Sequence, residues 1–100
     1  MEYSFKRGFK PELDRIKGAL EEEFPEVHEE DGKLVTGYGA LKSVVVWIEG
    51  KKLNVVTKSN PEVKDEEILD TNKRFRNFLE KATGYTAKQR LKKAKDEAKR

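Results

Sequence analysis

Tyr3, Phe5, Arg7 and Phe9 alternate with Ser4, Lys6 and Gly8, a period-two pattern that predicts a short strand at the amino end. Leu13, Ile16, Leu20 and Phe24 follow at spacings of three and four, one apolar stripe on a helix from about residue 11 to 23. Pro11 suits the first turn of that helix, and Pro25 forbids its continuation. Gly18 weakens it by about 1 kcal/mol relative to Ala, so its apolar face has to be packed.

Asp31-Gly32 is a tight-turn signal, because both central residues of a type I′ turn need positive φ. It predicts a hairpin between residues 27–30 and 33–36, with a turn or bulge at Gly37-Tyr38-Gly39. Residues 43–49, centred on Val44-Val45-Val46-Trp47-Ile48, carry the strongest strand pattern; Gly50-Lys51 turns the chain into a partner at 53–57. Asp65 is the expected cap of a helix running to about Ala82. Its expected buried stripe is Ile68, Asn72, Phe75, Phe78, Leu79 and Ala82, with Phe75→Ala costing about 3–5 kcal/mol if that ring is core. Gly84 is placed to end the helix in the left-handed conformation, and Thr86 with Gln89 forms a capping box for a further helix.

The elements read β-α-β-β-β-β-α with an extra carboxy-terminal basic helix. That is an α+β domain, with one antiparallel sheet of about five strands and the helices on one sheet face. Strand alternation assigns the faces. Val44, Val46, Ile48, Leu53, Val55 and Thr57 should meet the helices; Val45, Trp47, Glu49, Asn54, Val56 and Lys58 should point away. Residues 1–85 form the domain and 86–100 a basic helical extension.

Composition narrows the class. The chain has 100 residues, 35% hydrophobic and 41% charged, with a formal charge of +3. Residues 86–100 hold seven Lys/Arg against two Asp/Glu, so the basic surplus lies in that segment. With no cysteine, disulfides, thiolate metal sites and thiol nucleophiles are excluded together. No apolar run approaches the roughly 18 residues a membrane span needs, and the first residues lack a signal-peptide pattern. A single domain in the cytoplasm, with no membrane partner, is expected.

The order of elements over about residues 1–82 resembles the TATA-box-binding protein repeat, a curved sheet with helices on its convex side, and the shorter helix-grip folds. The sequence also resembles a family of small uncharacterised archaeal proteins. That resemblance rests on Phe5-Lys6-Arg7-Gly8-Phe9, Gly37-Tyr38-Gly39-Ala40-Leu41, the run from Ile68 through Asp70-Thr71-Asn72-Lys73-Arg74 to Phe75, and Ala82-Thr83-Gly84-Tyr85-Thr86-Ala87-Lys88. It implies one cytoplasmic domain of archaeal type and transfers no catalytic residue.

Catalysis has little to work with. His28, the lone histidine, lies on an expected edge strand with no partner in the pattern to orient it as a base. Glu21-Glu22-Glu23, Glu26 and Glu29-Glu30-Asp31 lack calcium-loop spacing, and Gly37-x-Gly39 lacks the third glycine of a phosphate loop. No catalytic residue, metal site or cofactor is expected. Two surfaces remain. Lys88, Lys92, Lys95 and Lys99 form one stripe on the terminal helix, suited to phosphate backbones. Trp47, flanked by Lys52 and Lys58, stands on the open sheet face, where such an aromatic serves as a stacking platform for bases, as a protein interface, or as a seat for the chain's own terminal helix. The leading expectation is a non-enzymatic binding protein with nucleic acid as partner. The alternatives are a self-associating or protein-binding module using the Trp47 face, and a carrier holding a small ligand between sheet and long helix.

Overall fold

The computed structural model describes residues 2–86, 88, 89 and 92. The elements are β1 (Glu2–Ser4), α1 (Leu13–Glu23), β2 (Val27–Glu30), β3 (Lys33–Tyr38), β4 (Leu41–Glu49), β5 (Lys52–Ser59) and α2 (Asp65–Thr83). They build one five-stranded antiparallel sheet in the order β1-β5-β4-β3-β2, with the helices on one face. Both tight turns form with positive φ at their two central residues: Asp31 and Gly32 have φ of 50° and 77°, Gly50 and Lys51 of 60° and 62°.

The buried side chains follow the two expected periods. Val44 and Val46 on β4, Leu53 and Val55 on β5 and Leu34 on β3 are fully buried beneath Ile16, Leu20 and Phe24 from the α1 segment and Phe78 from α2. These side chains pack together between the sheet and the helices.

Three local expectations are corrected. The amino-terminal strand stops at Ser4, because the chain turns at Lys6–Phe9: Phe9 N–H donates to Lys6 O at 2.9 Å across Gly8, whose φ is 93°. Helix α1 starts at Leu13, so Pro11 precedes it, and Glu12 is its cap residue. Asp65 lies inside α2 rather than capping it. Lys64 is the cap residue and makes no side-chain bond, while Asp65, Glu66 and Glu67 set negative charge against the positive end of the helix dipole.

Helix α2 is also rotated from its expected setting. Thr71, Phe78, Leu79, Ala82 and Thr83 are buried, whereas Ile68 is 38% exposed, Asn72 is exposed and Phe75 is half-buried. Polar Thr71 takes a core position because its hydroxyl is fully used, accepting from Ala40 N–H at 3.0 Å and donating to Glu67 O at 2.6 Å. A hydrophobicity pattern ranks Ile68 above Thr71 and therefore misplaces the face.

The carboxy end of α2 is joined to the segment before and within the start of α1. Its last four carbonyls have no helical partner. Gly84, left-handed at φ 83°, donates its N–H to Glu80 O at 2.8 Å. The Arg15 guanidinium donates to Lys81 O at 3.2 Å and Ala82 O at 2.6 Å, and Lys6 N–H donates to Thr83 O at 2.7 Å. Arg15 is held 5.9 Å from the Phe5 ring centroid and 5.5 Å from that of Phe9, and its Nε donates to Lys10 O. Burial lowers its pKa from the ordinary arginine value, with Glu12 opposing the shift. Residues 5–15 are thereby locked to residues 80–84, and a positive charge sits at the negative end of the helix dipole.

Candidate functional site

Register lays out the open sheet face in rows, because residues opposite one another in an antiparallel ladder share a face. One row crosses four strands as His28, Val35, Val45 and Val56. The next holds Trp47, Asn54 and Glu2. Beyond it come Glu49, Lys52 and Ser4; on the other side Ser43 pairs with Lys58. Trp47, Lys52 and Lys58 therefore stand on the face away from the helices, as their alternation requires. The indole is half-buried and held: Lys33 Nζ lies 4.9 Å from its ring centroid, and its Nε1 donates to Glu49 Oε2 at 3.2 Å. Val56 is 48% exposed. The lysines of this face, Lys33, Lys52 and Lys58, are matched by Glu2, Glu30 and Glu49, and Lys52 Nζ is 4.0 Å from Glu2 Oε2. The face is electrically balanced, not basic.

Positive charge gathers at one end of the molecule instead. Lys6, Arg7 and Lys10 are exposed on the turn that is hydrogen-bonded to Thr83, three residues before the capping box at Thr86. That box forms reciprocally: Thr86 N–H donates to Gln89 Oε1 at 2.9 Å and Gln89 N–H to Thr86 Oγ1 at 3.2 Å. Lys88 and Lys92 are helical and exposed; Lys95 and Lys99 lie outside the described residues. The pairing of Ser4 with Lys52 brings the Lys51-Lys52 turn to the sheet end from which the basic amino-terminal turn departs. Sequence reasoning named Lys52 and the terminal lysines but passed over Lys6, Arg7 and Lys10, which the Lys6–Thr83 hydrogen bond holds beside the end of α2.

A second polar cluster was legible only in part. Asp70 and Arg74 are an i,i+4 pair on α2, with Arg74 Nε 3.2 Å from Asp70 Oδ2. Tyr38 joins them from β3, donating its hydroxyl to Asp70 Oδ2 at 2.8 Å beneath the Arg74 guanidinium, which lies 4.7 Å from the Tyr38 ring centroid. Arg74 also donates to Glu23 O at 2.9 Å. The Tyr38 hydrogen bond, with help from Arg74, holds the Asp70 carboxyl below the usual aspartate value and raises the Tyr38 phenol; the Asp70 hydrogen bond raises the Arg74 pKa. A depression of about 220 Å³ beside them is lined by Glu21, Glu22, Glu23, Phe24, Pro25, Tyr38 and Arg74. The arrangement ties α2 to β3 and the end of α1.

The cluster predicts a pH dependence. Asp70, lowered on folding, stabilises fully above its unfolded value of about 3.9, and that contribution is lost as pH falls through the folded value. Tyr38, raised on folding, contributes below about pH 10 and loses its contribution as pH rises through its folded value. Thermal midpoints of wild type and Tyr38→Phe should differ by a constant amount from about pH 5 to 9, then converge at either extreme. A difference that stays constant down to about pH 2 would show the hydroxyl–carboxylate bond to be absent.

His28 is exposed on β2, and no cluster of metal-ligating side chains occurs among the described residues. No helix among the described residues is long and apolar enough to cross a membrane.

The four segments whose sequence resembles a small archaeal family meet in pairs. Residues 37–41 touch the run 68–75 through Tyr38, Ala40 and their partners on α2. Residues 5–9 meet 82–88 through the Lys6–Thr83 bond and through Phe9, which packs so closely on Gly84 that a β-carbon there would overlap its ring. These segments act first as structural latches.

No curated protein matches the chain. Its structure is similar to the NMR solution structure of a hypothetical protein from Thermoplasma acidophilum, with a TM-score of 0.67 and 27% sequence identity, covering 93% of this chain and 95% of that one. A family model described as a domain of unknown function (DUF5611) matches residues 1–96, and the chain belongs to that family.

Proposed function

We propose that this is a non-enzymatic cytoplasmic binding protein whose partner is nucleic acid, held without sequence choice through its basic end. The observation that carries this reading is the joining of the Lys6–Lys10 turn to the start of the basic terminal segment by the Lys6–Thr83 hydrogen bond. Exposed ammonium and guanidinium groups from separate parts of the chain there share one end, the layout that phosphate backbones recognise. The element order, similar to that of the TATA-box-binding protein repeat, adds only analogy. The open sheet face contributes less than its tryptophan suggests. Lys33 already covers one side of the indole, and the surrounding charges cancel.

The test is anisotropy of labelled duplex and single-stranded oligonucleotides at several salt concentrations. Four terminal lysines correspond to a slope of log affinity against log salt near −3 to −4 on duplex DNA, at about −0.9 per neutralised phosphate. Truncation after Tyr85 should remove that part of the slope and leave the fold intact. Arg7→Ala combined with Lys10→Ala should flatten the full-length slope by about 2. Binding unchanged by both alterations, or absent at low salt, would overturn the proposal.

A further inference from the structure

We infer that the open sheet face is a self-association surface, on which a second copy of this chain docks face to face as a weak, reversible dimer. Both helices lie on the opposite face, so neither covers the row of Val35, Val45 and Val56 or the half-buried Trp47 beside it, whose ring Lys33 overlies. Trp47 is held in one orientation by Lys33 and Glu49, which suits a rigid anchor that loses little entropy on docking.

Two properties bear on a second copy as occupant and on how tightly it docks. The first is charge. Lys33, Lys52 and Lys58 share the face with Glu2, Glu30 and Glu49, so two such faces meet without net repulsion, and a two-fold contact lets each lysine approach a carboxylate of the copy. A polyanion finds no positive field here; it finds one at the basic end. The second is area. A strand residue covers about 16 Å² of sheet at roughly 3.3 Å by 4.8 Å, so five strands of three to nine residues present somewhat under about 500 Å² of flat face before side chains corrugate it. That falls at the low end of specific interfaces, below about 600 Å² per partner, and fits dissociation in the micromolar range rather than an obligate pair.

The test is the solution mass of the full chain by sedimentation equilibrium from about 1 μM to 1 mM. The expected mass rises with concentration from 11.6 kDa toward twice that value. Val56→Lys should weaken self-association at least about thirtyfold, because each copy then buries a new charge in the contact. Val56 is 48% exposed, so this variant keeps its fold. Leu69→Lys, at a residue 71% exposed on α2, should leave the mass profile unchanged. Emission of the lone tryptophan should shift to the red on dilution in wild type and stay constant in Val56→Lys. A wild-type mass that stays at one chain up to 1 mM, or a Val56→Lys profile matching wild type, would overturn the inference. Oligonucleotide binding through the basic end should be the same in Val56→Lys and wild type at low protein concentration, so the two proposals fail separately.

Discussion

Phe78→Ala is expected to bring this protein close to unfolding. Phe78 has no exposed surface, stacks on Phe75 with ring centroids 6.4 Å apart and 19° between planes, and sits in the cluster that joins α2 to the sheet. Deleting a buried phenyl ring removes its transfer free energy and leaves a cavity, together about 3–5 kcal/mol, against a native stability of about 5–15 kcal/mol. For a domain of this length, that lowers the thermal midpoint by roughly 15–30 °C. The sequence pattern names Phe75 and Phe78 together as anchors; Phe78 is buried, but Phe75 is half-buried, so Phe75→Ala should cost about 1–2 kcal/mol. Urea denaturation of both variants checks the ranking. Equal losses would return α2 to the rotation that its hydrophobic pattern alone implies.

Gly39→Ala should destabilise by about 2–4 kcal/mol although Gly39 is exposed. Its φ of 51° is left-handed, which costs an L-residue about 1–2 kcal/mol. A β-carbon there would also overlap Thr71 Oγ1. Moving that hydroxyl breaks the bonds to Ala40 N–H and Glu67 O, and an unpartnered buried amide costs about 1–3 kcal/mol. Removing the hydroxyl as well, in Gly39→Ala with Thr71→Ala, relieves the overlap but leaves Ala40 N–H without its partner. The double variant should therefore lose less than the sum of the single losses. Strict additivity in denaturation midpoints would show that Gly39 and Thr71 do not share this contact.

Much of the architecture is written in local pattern. The two type I′ turns, the alternation along β4 and β5, the α1 stripe, the left-handed Gly84 and the Thr86–Gln89 box are all decided within a few residues by sterics and hydrogen-bonding capacity. The direction in which Trp47 points follows from the same alternation. The rest depends on contacts between segments far apart in the chain. The rotation of α2 is decided by Thr71, a polar residue that hydrophobicity ranks below Ile68 and that becomes core because Ala40 N–H and Glu67 O satisfy its hydroxyl. The early end of β1 reflects the use of the following residues to cap the last carbonyls of α2. Charge shows the division most plainly. Residues 86–100 are basic by composition, and strand alternation is enough to turn Trp47 away from the helices. Contacts between distant segments bring Lys6, Arg7 and Lys10 to the end of α2 and set Lys33, Lys52 and Lys58 among glutamates, because electrostatic fields sum over distance in space and not over position in the chain.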